Sequence, residues 1–204
     1  MVIPKHIIGR ISRMFKQNFE VYERVLKDRK QRRFVRHILM GFFKRPSVYV
    51  SDIARGLPLE DSMEAREQRL LRFFHDEDIS GEGLLRAHLS RLEGLLKENR
   101  APRIYGDLSE ASKPWARKMD ALDIVQDRSD PDKRNRPGYW INEVYVAPEK
   151  GKLFPAILYP FSTHEKGFRS QNRIILDHMD KVFQALGNRG IWVSDRGYDS
   201  KIFL

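Results

Sequence analysis

The sequence predicts an α+β chain, all-helical in its first half and mixed α/β in its second, on three observations. Apolar residues recur at three-to-four spacing as far as residue 97, as on one face of a helix. From Arg103 onward, short β-rich runs with partial alternation replace that period. Between the two regimes lies Asn99 to Pro102, polar and proline-bearing, a natural boundary that separates a region 1–98 from a region 101–204.

In the first region, residues 18–43 read as one helix, with Phe19, Tyr22 and Leu26, then Phe34, Val35, Ile38, Leu39 and Phe42 at helical spacing. Lys44, Arg45 and Pro46 end it. Ser51 is a candidate N-cap for a short helix that Gly56 and Pro58 stop. Asp61 or Ser62 can cap the next, Met63 to Phe74, whose apolar side is Leu70, Leu71, Phe73 and Phe74. A short helix, a tight turn and a longer helix make helix-turn-helix spacing, a pattern that many helical bundles share. A last helix spans about Gly83 to Lys97, with Leu85, Leu89, Leu92 and Leu96 in one stripe.

The second region reads strand, strand, strand, helix, strand. The strands are Arg103 to Leu108, Gly138 to Val146, Lys152 to Tyr159 and Ile191 to Val193. Pro155 and Pro160 mark the third as an edge, because proline cannot donate to a ladder. The helix is Ser170 to Leu186, with Ile175, Met179, Val182 and Leu186 on one face and Gly187 closing it. Asp127 to Arg136, densely charged and containing Pro131, reads as an exposed loop.

Composition narrows the function classes. With no cysteine there is no disulfide framework and no thiolate ligand or nucleophile, and the six histidines are scattered singly. No run approaches the roughly 20 apolar residues of a membrane span, so we expect a cytoplasmic protein with no membrane partner. The net charge is +10, and residues 1–45 hold all of it: 13 Lys or Arg against 3 Asp or Glu. Such concentrated positive charge favours a polyanion, because each phosphate neutralised releases condensed counterions. A solvated basic helix, or docking on an acidic protein or membrane surface, is the alternative.

Two aspartates carry the chemistry. Asp107 stands at the end of the first strand segment and Asp195 at the end of the last. A crossover through one helix returns the last strand parallel to the first, which makes the two aspartates neighbours. Paired carboxylates repel unless they share a proton or a cation, and hard oxygen donors select Mg²⁺ or Mn²⁺.

Five segments carry a resemblance. Asp107-Leu-Ser-Glu-Ala-Ser-Lys-Pro-Trp-Ala-Arg-Lys-Met119, Gly138-Tyr-Trp140 and Gly190-Ile-Trp-Val-Ser-Asp-Arg-Gly-Tyr-Asp199 resemble the catalytic domain of bacterial insertion-sequence transposases of the DDE type, which has a ribonuclease-H-like fold. Ser47 to Arg55 and Glu64 to Phe73 look like the helical region that precedes it. The resemblance implies that 1–98 is a DNA-binding region and that 101–204 is the first part of a ribonuclease-H-like α/β domain. It makes Asp107 and Asp195 the first two carboxylates of a Mg²⁺-binding catalytic triad. It further implies double-stranded DNA as partner, both transposon ends and target, a homodimer in synapsis, and association with the bacterial nucleoid. The third carboxylate, a glutamate on a downstream helix, has no counterpart before Leu204; Glu143, Glu149 and Glu165 all precede Asp195. We therefore expect a truncated transposase, natural or engineered, that is a poor catalyst alone.

Several basic residues are candidate DNA contacts. Arg66, Gln68, Arg69 and Arg72 lie on the polar side of the second helix of the helix-turn-helix pattern and could reach bases or phosphates. Arg32, Arg33 and Arg36 would hold backbone without sequence preference. Lys113, Arg117 and Lys118 follow the first aspartate, where a DNA backbone would pass, and Arg196 adjoins the second. A solvated charge cluster is the other reading of the first three, and a structural salt bridge that of Arg196. Trp140 and Trp192 fall in strand patterns and read as core; Trp115 could stack on a base or pack.

Overall fold

A computed structural model describes residues 5–45, 47, 49–57, 59–75, 80–116, 118–127 and 130–194. The chain is α+β, with helices α1 (Lys5–Glu23), α2 (Arg29–Lys44), α3 (Val50–Gly56), α4 (Met63–Phe74), α5 (Gly81–Leu96) and α6 (Gln171–Ala185). The strands are β1 (Arg103–Ser112), β2 (Asp123–Gln126), β3 (Asn135–Ala147), β4 (Phe154–Phe161) and β5 (Ile191–Ser194). The chain divides into two compact units, Met1–His88 and Leu89–Leu204, and the division falls inside α5. No helix among the described residues is long and apolar enough to cross a membrane.

In the first unit, the single helix expected over 18–43 is two. The break falls at Asp28, whose side chain accepts the Gln31 amide at 2.8 Å as N-cap of α2, while Gln31 returns its own side-chain oxygen to the Lys27 amide at 2.9 Å. This reciprocal arrangement satisfies donors that an interrupted helix would leave orphaned, and it outweighs the continuous apolar spacing. Ser51 does not cap α3; Tyr49 is the N-cap, without a side-chain bond, and Ser51 lies in the first turn. Ser62 caps α4, accepting the Ala65 amide at 3.2 Å.

Helices α2, α3 and α4 close on one core of Phe34, Ile53, Ala54, Leu57 and Leu70. Phe34 stacks on Phe73 with ring centroids 4.4 Å apart. Two glycines allow the α2–α3 approach: a Cβ on Gly41 would lie 2.8 Å from the Ile53 carbonyl oxygen, and one on Gly56 would lie 2.9 Å from the Gly41 carbonyl oxygen. Any side chain there would force the helices apart.

In the second unit, the described strands form one mixed five-stranded sheet in the order β2-β3-β1-β5, with β4 also on β3. At 13 residues, β3 is long enough to serve two partners in series, pairing with β2 through Asn135–Gly138 and with β4 through Trp140–Val146. Thr163 joins the ends of those partners by donating its amide and hydroxyl to Asp123 at 2.8 and 2.7 Å. Burial works against ionisation of Asp123, but these bonds and the Ile124 amide hold its carboxyl below the usual range. Among the described residues β4 pairs with β3 alone, as suits a strand with two prolines.

Strand β2 was not expected. Nor is the charged segment beginning at Asp127 a plain exposed loop: Asp127 and Asp130 are buried, and Asn135 and Arg136 already belong to β3. Asp130 accepts from Arg134 at 2.7 Å and from Arg136 at 2.8 Å, which holds its carboxyl far below the usual range. Paired in this way the charges can be buried, and they close the β2–β3 hairpin. Gly138 sits where three strands converge, since a Cβ there would come within 2.5 Å of the Ala111 carbonyl oxygen and 2.6 Å of Val125.

Candidate functional site

Strand β1 is hydrogen-bonded on both sides, to antiparallel β3 and to parallel β5. Parallel pairing needs a crossover, and α6 provides it, capped at its start by Ser170 accepting the Arg173 amide at 3.2 Å. Buried Ile175 and Val182 lie on α6, and His178 reaches Asn142 of β3 at 2.7 Å. Arg189, in the turn before β5, donates to the Leu186 carbonyl at 2.8 Å and to that of Asn99, which ties the α6–β5 turn to the segment leading into β1.

The β1–β5 register runs from Arg103 opposite Ile191 to Gly106 opposite Ser194. Asp107 is the next residue of β1, and Asp195 the next residue of the chain after β5. Asp195 lies outside the described residues, as do Arg196 and Arg117. Asp107 does not end its strand, since β1 continues to Ser112. It is exposed, and its Oδ1 accepts the Leu108 amide at 2.8 Å. Its remaining lone pairs suit solvent or a hard cation.

Glu143 stands directly across from Asp107 on β3. Residues opposite one another in an antiparallel pair share a face, so two carboxylates crowd one side of the sheet, a destabilising arrangement when both are ionised. Glu143 is held by two hydroxyls: Ser109 donates to Oε1 and Tyr145 to Oε2 at 2.7 Å. The bond to Glu143, burial, and the charges of Glu143 and Asp107 together push the Tyr145 phenol up. Glu143 precedes Asp195 in the chain, so chain order alone does not place it beside Asp107. The antiparallel register was the missing information, and it depends on where the segment between β1 and β3 turns. Oxygen donors of this kind fit Mg²⁺ or Mn²⁺, which bind through one or two carboxylates and retain water. Among the described residues no three His, Cys, Asp or Glu side chains are grouped to hold a metal.

The expected DNA-contacting residues fall into different circumstances. Arg32, Arg33 and Arg36 are exposed on α2, with Arg36 lying 5.5 Å over the Phe19 ring. Arg66 is turned to the backbone, donating to the carbonyls of Asp61 at 2.8 Å, Leu57 at 3.5 Å and Leu59. It closes the turn between α3 and α4 from inside. Arg69 pairs with Asp61 at 2.7 Å. Gln68 and Arg72 are exposed, and Arg72 donates to the Gln68 carbonyl at 3.3 Å. The exposed residues of α4 are therefore Glu64, Ala65, Gln68, Leu71, Arg72 and Phe74.

After β1, Lys113 and Lys118 are exposed, and Trp115 between them is 90% exposed, unusual for so large an apolar ring. Trp140 and Trp192 are half-buried rather than core residues. Arg29 and His37 also belong to α2, where no motif in the sequence singles them out. A scan against protein-family models finds no match to this chain, and a search of characterised proteins finds none.

Proposed function

We propose that this chain carries the DNA-binding region and the metal-bearing start of the catalytic domain of a DDE-type insertion-sequence transposase. The observation that carries the reading is the parallel pairing of β5 beside β1, with Gly106 opposite Ser194. Each of those residues is followed in sequence by an aspartate, Asp107 and Asp195, 88 positions apart. The order β4-β3-β1-β5, three antiparallel strands with a helical crossover to a parallel fourth, also supports a ribonuclease-H-like domain.

In this reading Asp107 and Asp195 hold Mg²⁺, which supplies charge neutralisation at a phosphodiester and activation of the attacking oxygen. The chain's own contribution is positioning. The strand ladder fixes Asp107, and the helical unit binds transposon-end DNA. No covalent protein intermediate is needed.

The test is Mn²⁺ binding followed by electron paramagnetic resonance on the wild-type chain, Asp107→Asn and Asp195→Asn. Both substitutions are expected to weaken binding at one site, and equal binding in all three proteins refutes the metal assignment. In a complete transposase carrying this segment, Asp107→Asn is expected to abolish Mg²⁺-dependent cleavage of the element's ends. The excess of positive charge within residues 1–45 favours a second reading, a non-catalytic DNA-binding module that represses or competes with an intact transposase. That reading requires end binding to survive Asp107→Asn with no cleavage by the wild type.

A further inference from the structure

The basic side of α2 is continuous rather than scattered. Arg29, Arg33 and Arg36 follow one another at four- and three-residue intervals, so they line one helix face. Three hollows of about 290, 300 and 620 Å³ open along that face. The first two share Arg33, and the first and third share Arg36. Arg69 and Arg72 of α4 line the second, beside Phe73.

Counter-charge is sparse. Among the described residues Glu23 is the one carboxylate lining any of the three hollows, and Arg69 has Asp61. Arg33, Arg36 and Arg72 form no ion pair among the described residues. Holding so many guanidiniums together costs stability unless a polyanion joins them. We propose that Arg29, Arg33, Arg36, Arg69 and Arg72 form a single seat for the phosphate backbone of double-stranded DNA. This assignment rests on the DNA-binding reading above and sharpens it: Arg69 and Arg72 hold phosphate rather than reading bases, and Arg66 builds the turn that sets α4 beside α2.

The seat contains its own reporter. His37 is half-buried in the largest hollow, facing Lys16 of α1 and Arg36 and Lys44 of α2, with Arg33 and with Arg69 of α4 close enough to act on it electrostatically. None of these groups is acidic. Burial, then Arg33, Arg69 and Arg36, hold its imidazole below the ordinary value. Phosphate that neutralises the arginines removes the electrostatic part of that depression. The bound form then holds its proton more tightly than the free form, so binding takes up a proton and tightens as pH falls through the histidine range, around 6.5.

The experiment is fluorescence anisotropy of a labelled random-sequence duplex at several salt concentrations and pH values, using the whole chain. Wild-type protein is expected to lose affinity steeply with salt. Arg33→Ala and Arg72→Ala should each flatten the logarithmic salt slope by about 1. His37→Gln should bind as the wild type does at pH 8 but lack the added affinity at pH 5.5. Duplex binding with unchanged slopes in both arginine variants overturns the seat while leaving the transposase reading intact. Failure to bind duplex, or binding to anionic vesicles instead, overturns both. Seat behaviour as expected, with no metal dependence on Asp107, upholds the seat and removes the transposase reading.

Discussion

The two units treat arginine differently. Among the described residues, four arginines of the sheet unit are committed internally: Arg134 and Arg136 to Asp130, Arg173 to Asp177, and Arg189 to Glu93 and the Asn99 carbonyl. In the helical unit, Arg55 and Arg69 have carboxylate partners, whereas Arg33, Arg36 and Arg72 form no ion pair among the described residues. Paired charge organises a fold, as Asp130 does for the β2–β3 hairpin. Charge held on a stable apolar scaffold without partners is available for another molecule. The scaffold of the helical unit is its apolar core and its caps, so its stability and its binding surface should be separable by mutation.

The largest expected effect tests that separation. Leu70 is 1% exposed at the centre of the α2–α3–α4 core. Leu70→Ala should cost about 2 to 5 kcal/mol, the range for a buried leucine truncated to leave a cavity. All three tryptophans, Trp115, Trp140 and Trp192, belong to the sheet unit, so tryptophan fluorescence follows that unit alone. The substitution should lower the melting transition seen by far-UV circular dichroism more than the one seen by fluorescence. Equal shifts would mean that the two units unfold as one.

Next comes the acid response of the sheet unit. Hydrogen bonds from Arg134 and Arg136 hold Asp130 well below the ordinary carboxylate range. A depressed native value contributes stability that is complete above the unfolded value, about 3.9, and is lost as pH falls towards the native one. Asp130→Asn should lower the fluorescence melting temperature at pH 7 and flatten its decline between pH 5 and pH 2. The circular dichroism transition of the helical unit should follow pH as in the wild type.

Much of this division could be read from the sequence, and its gaps have physical causes. The charge asymmetry, the α4 boundaries, the Pro155 and Pro160 edge strand and the α6 crossover followed from local signals in the chain. The Asp28 break was present in the Asp28-x-x-Gln31 pattern, hidden by an apolar spacing that runs across it. Short β2 carries too few residues to signal itself and exists because β3 is there to pair with it. The inward turn of Arg66 and the position of Glu143 across from Asp107 are tertiary facts. One follows from where the α3–α4 turn leaves its carbonyls, the other from a register that no local pattern sets. Of the proposed metal pair, the sequence identified both aspartates, but only the environment of Asp107 is described.

The crowded pair offers a smaller test in the sheet unit. Glu143→Gln removes one of two like charges opposed across β1 and β3, worth about 0.2 to 1 kcal/mol for a cross-strand pair. That relief is opposed by the weaker acceptance of the Ser109 and Tyr145 hydroxyls by a neutral amide, so no net gain in stability is expected in the absence of metal. The Tyr145 phenol, now raised by the Glu143 bond, burial and the charges of Glu143 and Asp107, should titrate at lower pH. A difference ultraviolet titration against Tyr145→Phe isolates that group. No change in the phenol would place the carboxylate too far away to act on it.

The smallest expected effect bears most directly on the contrast between units. Arg33 lies one helical turn from Arg29 and from Arg36 on the same face, and like charges at such spacing cost about 0.2 to 0.5 kcal/mol per pair. Arg33→Ala should therefore leave the helical unit as stable as before or raise its melting temperature slightly at low ionic strength, with the gain disappearing as salt screens the repulsion. Arg136→Ala, which strips a partner from buried Asp130, should destabilise the sheet unit. Opposite signs in the two units would mean that one arginine is part of the fold and the other is held against it. A destabilising Arg33→Ala would place that guanidinium among the groups that build the helical unit, and the distinction between committed and uncommitted charge would fail at one of its exposed members.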